Sequence, residues 1–82
     1  MSVLSPAQCR AARGLLAWSQ GDLSRAAAVS EKTVADFERE ARRPYDRTLR
    51  DLVTALEAAG VEFIAENGGG AGVRLRKPTG PI

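Results

Sequence analysis

The sequence predicts a mainly α domain of four helices followed by a short C-terminal β-hairpin. Three observations carry that expectation. Serines at positions 5, 19 and 30 stand where helix N-caps belong, each followed by helix-forming residues. Leu49, Leu52, Val53 and Leu56 make an i, i+3, i+4, i+7 apolar stripe. Beyond Gly60 the pattern turns to alternation around a glycine-rich segment.

The first helix is expected over residues 6–17. Ser5 is its cap, Pro6 occupies the first helical position, and Gln8 is placed to close a capping box. Cys9, Ala12 and Leu16 form its inward stripe. The second helix spans Gln20 to Ala27, with Ser19 as cap and Asp22 three residues on, where a carboxylate also meets the positive end of the helix dipole. Trp18 and Leu23 are spaced as a hydrophobic staple. Ser30 opens the third helix, Glu31 to Arg39, with Val29 and Val34 as its staple pair. Arg42, Arg43 and Pro44 interrupt the helical pattern, Asp46 is the expected cap of the fourth helix, and Gly60 is its stop. Val61–Ile64 and Val73–Arg76 read as two strands around the segment 67–72. Pairing them with Val73 and Leu75 on the face of Phe63 sets Arg74 and Arg76 beside Glu62. Organisation follows: 1–60 as the helical domain, 61–77 as the hairpin, and 78–82 as a disordered tail.

Composition narrows the function. The chain has 82 residues, 44% hydrophobic and 27% charged, which suits one small globular domain. No apolar run approaches the roughly 20 residues of a membrane span, and the first residues lack a signal-peptide pattern, so export and membrane insertion are not expected. A single cysteine excludes an internal disulfide and makes a reducing cytoplasm the expected location. Histidine is absent. With no histidine and no carboxylate pair in an evident pocket, no catalytic residue stands out, and neither an enzyme, a metal site nor a cofactor is expected. Gly68, Gly69, Gly70 and Gly72 lack the lysine and helix that follow in a nucleotide loop, so they read as a hairpin turn. Cys9, on an apolar face, reads as a small core residue rather than a redox centre.

Charge is unevenly distributed. Net charge is +2, yet residues 39–50 hold five arginines against Glu40 and Asp46, while 51–66 hold four acids and no base. A one-sided basic patch is the footprint of polyanion binding; a solvated helix face is the alternative.

Two short helices with a three-residue turn and stapled apolar residues make a helix-turn-helix. Trp18-Ser19-Gln20-Gly21-Asp22-Leu23, Ala28-Val29-Ser30, Thr33-Val34 and Phe37-Glu38-Arg39 resemble the Cro/repressor-like helix-turn-helix family of XRE regulators, over roughly residues 9–58. Alanine is usual in that family at the position of Ser24, and glycine at those of Ala28 and Glu40. A non-glycine residue in a left-handed turn costs on the order of 1 kcal/mol. The family's fifth helix is replaced here by the hairpin.

The resemblance implies a DNA-binding transcriptional regulator of the repressor type. The third helix would enter the major groove and present Glu31, Lys32, Thr33 and Asp36 to base edges. Lys32 suits guanine acceptors, Thr33 a thymine methyl or a phosphate, and Glu31 or Asp36 a cytosine amino group. Gln20, Arg39, Arg42 and Arg43 would grip the phosphate backbone, with Arg43 near the minor-groove edge. Arg13 and Glu38 occupy positions that family members join in a partly buried salt bridge. One reading helix covers too few base pairs for genomic specificity, so a homodimer on a two-fold site in double-stranded DNA is expected. The hairpin is the candidate dimerisation element through Phe63, Ile64, Val73 and Leu75; the alternative is that these residues fold back on the fourth helix. A second class of function is an antitoxin or other interaction module, which would bind a partner protein as well as its own operator.

Overall fold

Three of the four helices begin where serine can satisfy otherwise orphaned amides. The computed structural model describes residues 4–66 and 68–76; the expected tail at 78–82 lies outside them. The order is α1 (Pro6–Leu16), α2 (Gln20–Ala27), α3 (Glu31–Glu38), α4 (Asp46–Ala58), β1 (Val61–Ile64) and β2 (Gly72–Leu75). The mainly α architecture with a C-terminal hairpin is therefore as the sequence predicts.

The caps of α1 and α2 are reciprocal boxes. Gln8 N donates to Ser5 Oγ at 3.0 Å and Ser5 N to Gln8 Oε1 at 3.0 Å. Asp22 N donates to Ser19 Oγ at 3.0 Å and Ser19 N to Asp22 Oδ2 at 2.9 Å. Ser30 accepts from Thr33 N at 3.1 Å. The expectation for α4 is corrected. Its N-cap is Tyr45, extended at φ −61°, ψ 154°, with no side-chain cap, and Asp46 is the first helical residue. The first turn closes on the Tyr45 carbonyl, which accepts from Leu49 N at 3.0 Å. Asp46 still faces the positive end of the dipole.

The turns carry local strain. Ala17, Ala28 and Glu40 adopt positive φ of 56°, 57° and 61°. At Ala28 the backbone reverses between α2 and α3, and Val29 N donates to Ser24 O at 3.1 Å. The Ser24 hydroxyl donates to the Val29 carbonyl across the same turn. A side chain that alanine could not replace thus fastens a turn that glycine would relax.

Packing closes on one core: Leu4, Cys9, Ala12, Leu23, Ala27, Val34, Phe37, Leu49, Leu52, Leu56 and Val61. Each fully buried leucine contributes roughly 1.5–3 kcal/mol relative to exposure. The inward stripe expected of each helix is the one that is buried, with Leu16, Val29 and Val53 at its margin. Packing places α2 against α3 and α4, and α1 against α3 and both strands.

The hairpin is antiparallel, with Val61 opposite Leu75, Glu62 opposite Arg74, Phe63 opposite Val73 and Ile64 opposite Gly72. The predicted cross-strand ion pair forms, Arg74 Nε to Glu62 Oε1 at 2.7 Å. Arg76 instead donates to the Glu57 carbonyl at 2.8 Å, and its amide reaches Gly60 O. Gln8 Nε2 donates to Gly72 O at 3.2 Å and ties β2 to α1. Phe63 and Val73, partly buried, pack against the core of the same chain. The fold-back alternative therefore describes them, with α1 sharing the contact that the sequence assigned to α4 alone. Ile64, level with Gly72, shares the opposite sheet face with Glu62 and Arg74, so the four expected dimer residues do not form one surface. Leu75 is 47% exposed.

Candidate nucleic-acid interface

The outward side of α3 follows from what its inward side buries. Val34, Phe37 and Glu38 are buried, and 3.6-residue periodicity then turns Glu31 and Lys32 to solvent with Thr33 half-buried between. Ser30 holds the helix entry, donating through Oγ to Thr33 Oγ1 at 2.8 Å.

One buried carboxylate fixes how this helix sits. Glu38, 3% exposed, accepts from Arg13 Nε at 2.7 Å and Arg13 Nη2 at 2.6 Å. It also accepts from Gln20 Nε2 at 3.1 Å and from the Cys9 thiol at 3.1 Å. Arg13 in turn donates to the Trp18 carbonyl at 2.9 Å, and Arg10 donates to the Glu38 carbonyl. Side chains of α1 and α2 thus converge on the last turn of α3. Burial pushes the Glu38 carboxyl upward, but hydrogen bonds from Arg13, Cys9 and Gln20 outweigh it and hold the group below the usual carboxylate range. The hydrogen bond to Glu38 raises Arg13 further. Burial, with the donated bond to Glu38, pushes the Cys9 thiol well up, which keeps it protonated and unreactive.

The expected DNA-contacting residues separate into groups. Lys32, Thr33, Asp36, Arg42 and Pro44 line a cleft of about 270 Å³ between α3 and the α3–α4 loop. Thr33, Arg42, Arg43, Pro44, Tyr45 and Thr48 line an adjoining one of about 380 Å³. Glu31 turns toward α2; its Oε1 lies 3.3 Å from where a Cβ would stand on Gly21. Gln20 spends its amide on Glu38 inside the fold.

The arginines differ in availability. Arg39 is held by Asp36, with Nη2 at 2.7 Å and Nε at 3.2 Å from Oδ1. Arg43 reaches Asp46 Oδ1 at 3.5 Å, with both side chains largely exposed. Among the described residues the Arg42 side chain has no hydrogen bond or ion pair. Asp36 also holds Lys32 Nζ, 3.0 Å from Oδ2.

Tyr45 and Thr48 were missed by the sequence reading. Tyr45 is 87% exposed beside the arginine loop. An aromatic residue directly after Arg42-Arg43-Pro44 and outside every apolar stripe was the available signal. No helix among the described residues is long and apolar enough to cross a membrane. Comparison with family models and with curated proteins finds no match for this chain.

Proposed function

We propose that this protein is a sequence-specific regulator of transcription that binds double-stranded DNA as a homodimer and works in the cytoplasm. The observation that carries the reading is the joint geometry of α2 and α3. Two serine-capped helices are linked by residues 28–30, and the second keeps its apolar side in the core while Lys32 and its neighbours stay outside. A helix held this way fits a major groove about 12 Å wide with its N-terminal side chains toward base edges.

The basic loop supplies the rest of the interface. Arg42, whose side chain has no partner among the described residues, and Arg43, loosely paired, line one cleft with Thr33 and Tyr45. Counterion release by such residues gives affinity, and base contacts from α3 give preference. The dimer rests on a narrower argument than the sequence offered. Phe63 and Val73 are spent on the core, so Leu75 and the outer edges of the two-stranded sheet are what the hairpin offers a second copy.

Selection of bound duplexes from a random pool tests the reading. A recovered site with two half-sites about one helical turn apart is expected, bound by two chains with a strong salt dependence. Enrichment of no sequence, with binding that ignores salt, would refute it.

A further inference from the structure

Of the four residues expected to face bases, Asp36 is the one whose surroundings do not fit that role. Its side chain is 13% exposed, whereas those of Lys32 and Arg39 are 82% and 68% exposed. Both carboxylate oxygens are engaged: Oδ2 takes the Lys32 ammonium, and Oδ1 takes Arg39 through Nη2 and Nε. A carboxylate reading cytosine needs an acceptor turned to the outer surface, whereas at Asp36 three hydrogen bonds from Lys32 and Arg39 already take both oxygens. Two cations thus share one anion, and Arg42 lines the same cleft without pairing to it.

Folding stability does not account for this arrangement. Solvent-exposed ion pairs on a helix are worth a few tenths of a kcal/mol, and an acid four residues after its lysine is the weaker orientation. The consequence appears when a polyanion approaches. A phosphate that draws Lys32 or Arg39 away leaves the Asp36 carboxylate next to negative charge, with one fewer cation to offset it. A guanine edge accepts from Lys32 without that repulsion. Asp46, by contrast, is largely exposed and meets Arg43 only at 3.5 Å, so it yields readily.

We propose that Asp36 is a positioning residue: it holds Lys32 and Arg39 on the outward side of α3 and sets how strongly base edges are preferred over bare phosphate. This rests on the DNA-binding reading above and assigns within it a role that touches no base.

The test measures wild type, Asp36→Asn and Asp36→Glu against two duplexes, one recovered from the random pool and one a scrambled sequence of equal length, over a range of salt. For Asp36→Asn, affinity for the scrambled duplex is expected to rise about tenfold at low salt. The salt slope steepens by about one, and the ratio between duplexes falls about tenfold. The preferred sequence stays the same, and Asp36→Glu, which keeps the charge, restores the ratio toward wild type. A changed base preference at one position in Asp36→Asn overturns the proposal in favour of direct reading. Equal weakening on both duplexes overturns it in favour of a structural role. An unchanged ratio with normal wild-type binding overturns it alone, whereas a wild type without salt-dependent duplex binding overturns the DNA-binding reading as well.

Discussion

Replacing Glu38 by glutamine removes a charge from the most buried polar site among the described residues while keeping its shape. The carboxylate is 3% exposed and accepts four donors, from Arg13 twice, Gln20 and Cys9. In the Glu38→Gln variant the amide keeps one acceptor oxygen and presents an NH₂ where two donors already point. The Arg13 guanidinium, itself 19% exposed, loses its counter-charge. Breaking a buried pair from one side costs about 3–5 kcal/mol, and partial access of water to Arg13 places this case near the lower end, about 3 kcal/mol. A chain of 82 residues has roughly 4–12 kcal/mol of stability in total. The melting temperature should therefore fall by about 12–24 °C. Urea titrations of wild type, Arg13→Met, Glu38→Gln and the double variant give the coupling directly, and the double variant should lose much less than the two single losses together. Because folding lowers the Glu38 pKa, its stabilisation is complete above the unfolded value of about 4.3 and is lost as pH falls through the folded value. The gap between wild type and Glu38→Gln should narrow below about pH 4. A loss under about 1 kcal/mol at neutral pH, or additive single losses, would show that this bridge behaves as a surface pair and would refute the argument.

Five further outcomes follow from the same structure. Ala28→Gly removes the strain of φ 57° at the α2–α3 turn and should raise stability by about 0.5 kcal/mol after the entropy of the unfolded glycine is counted; calorimetry showing a decrease would contradict this. Cys9 is fully buried with a raised pKa, so a thiol reagent should label it only as fast as the whole domain unfolds, and rapid labelling under native conditions would argue against the packing. Phe63→Ala should destabilise by about 3 kcal/mol because Phe63 packs on the core. Leu75→Ala should change folding by less than about 1 kcal/mol while weakening self-association in sedimentation. Arg42→Ala should weaken all duplexes alike and lower the salt slope by about one, whereas a shift in preferred sequence would place Arg42 on a base.

The helix starts were legible because their causes are local. Ser5, Ser19 and Ser30 cap amides three residues away, and the stripes of α1 to α4 repeat at a spacing that a helix turns to one side. Asp46 misled because capping is decided by which carbonyl closes the first turn, and a good capping residue stood one place beyond it. The left-handed turns at Ala28 and Glu40 came from the resemblance, since nothing in an alanine or a glutamate announces positive φ. Engagement of Asp36 by Lys32 and Arg39, four and three residues away, was readable in principle from helical spacing.

What the chain alone determined is the set of elements and the side of each that turns inward, since period, caps and turn residues act within a few positions. The resemblance implied the Arg13–Glu38 bridge, but only the tertiary structure decided that Glu38 also gathers Cys9 and Gln20 from 29 and 18 residues away. It also decided that Phe63 and Val73 face α1 and α4 and that Tyr45 stands in solvent beside the arginines. A polar group leaving water must find its partners wherever the packed chain brings them, and an apolar strand face covers whichever surface closes the core. Both choices depend on neighbours distant in sequence, where no local period records them.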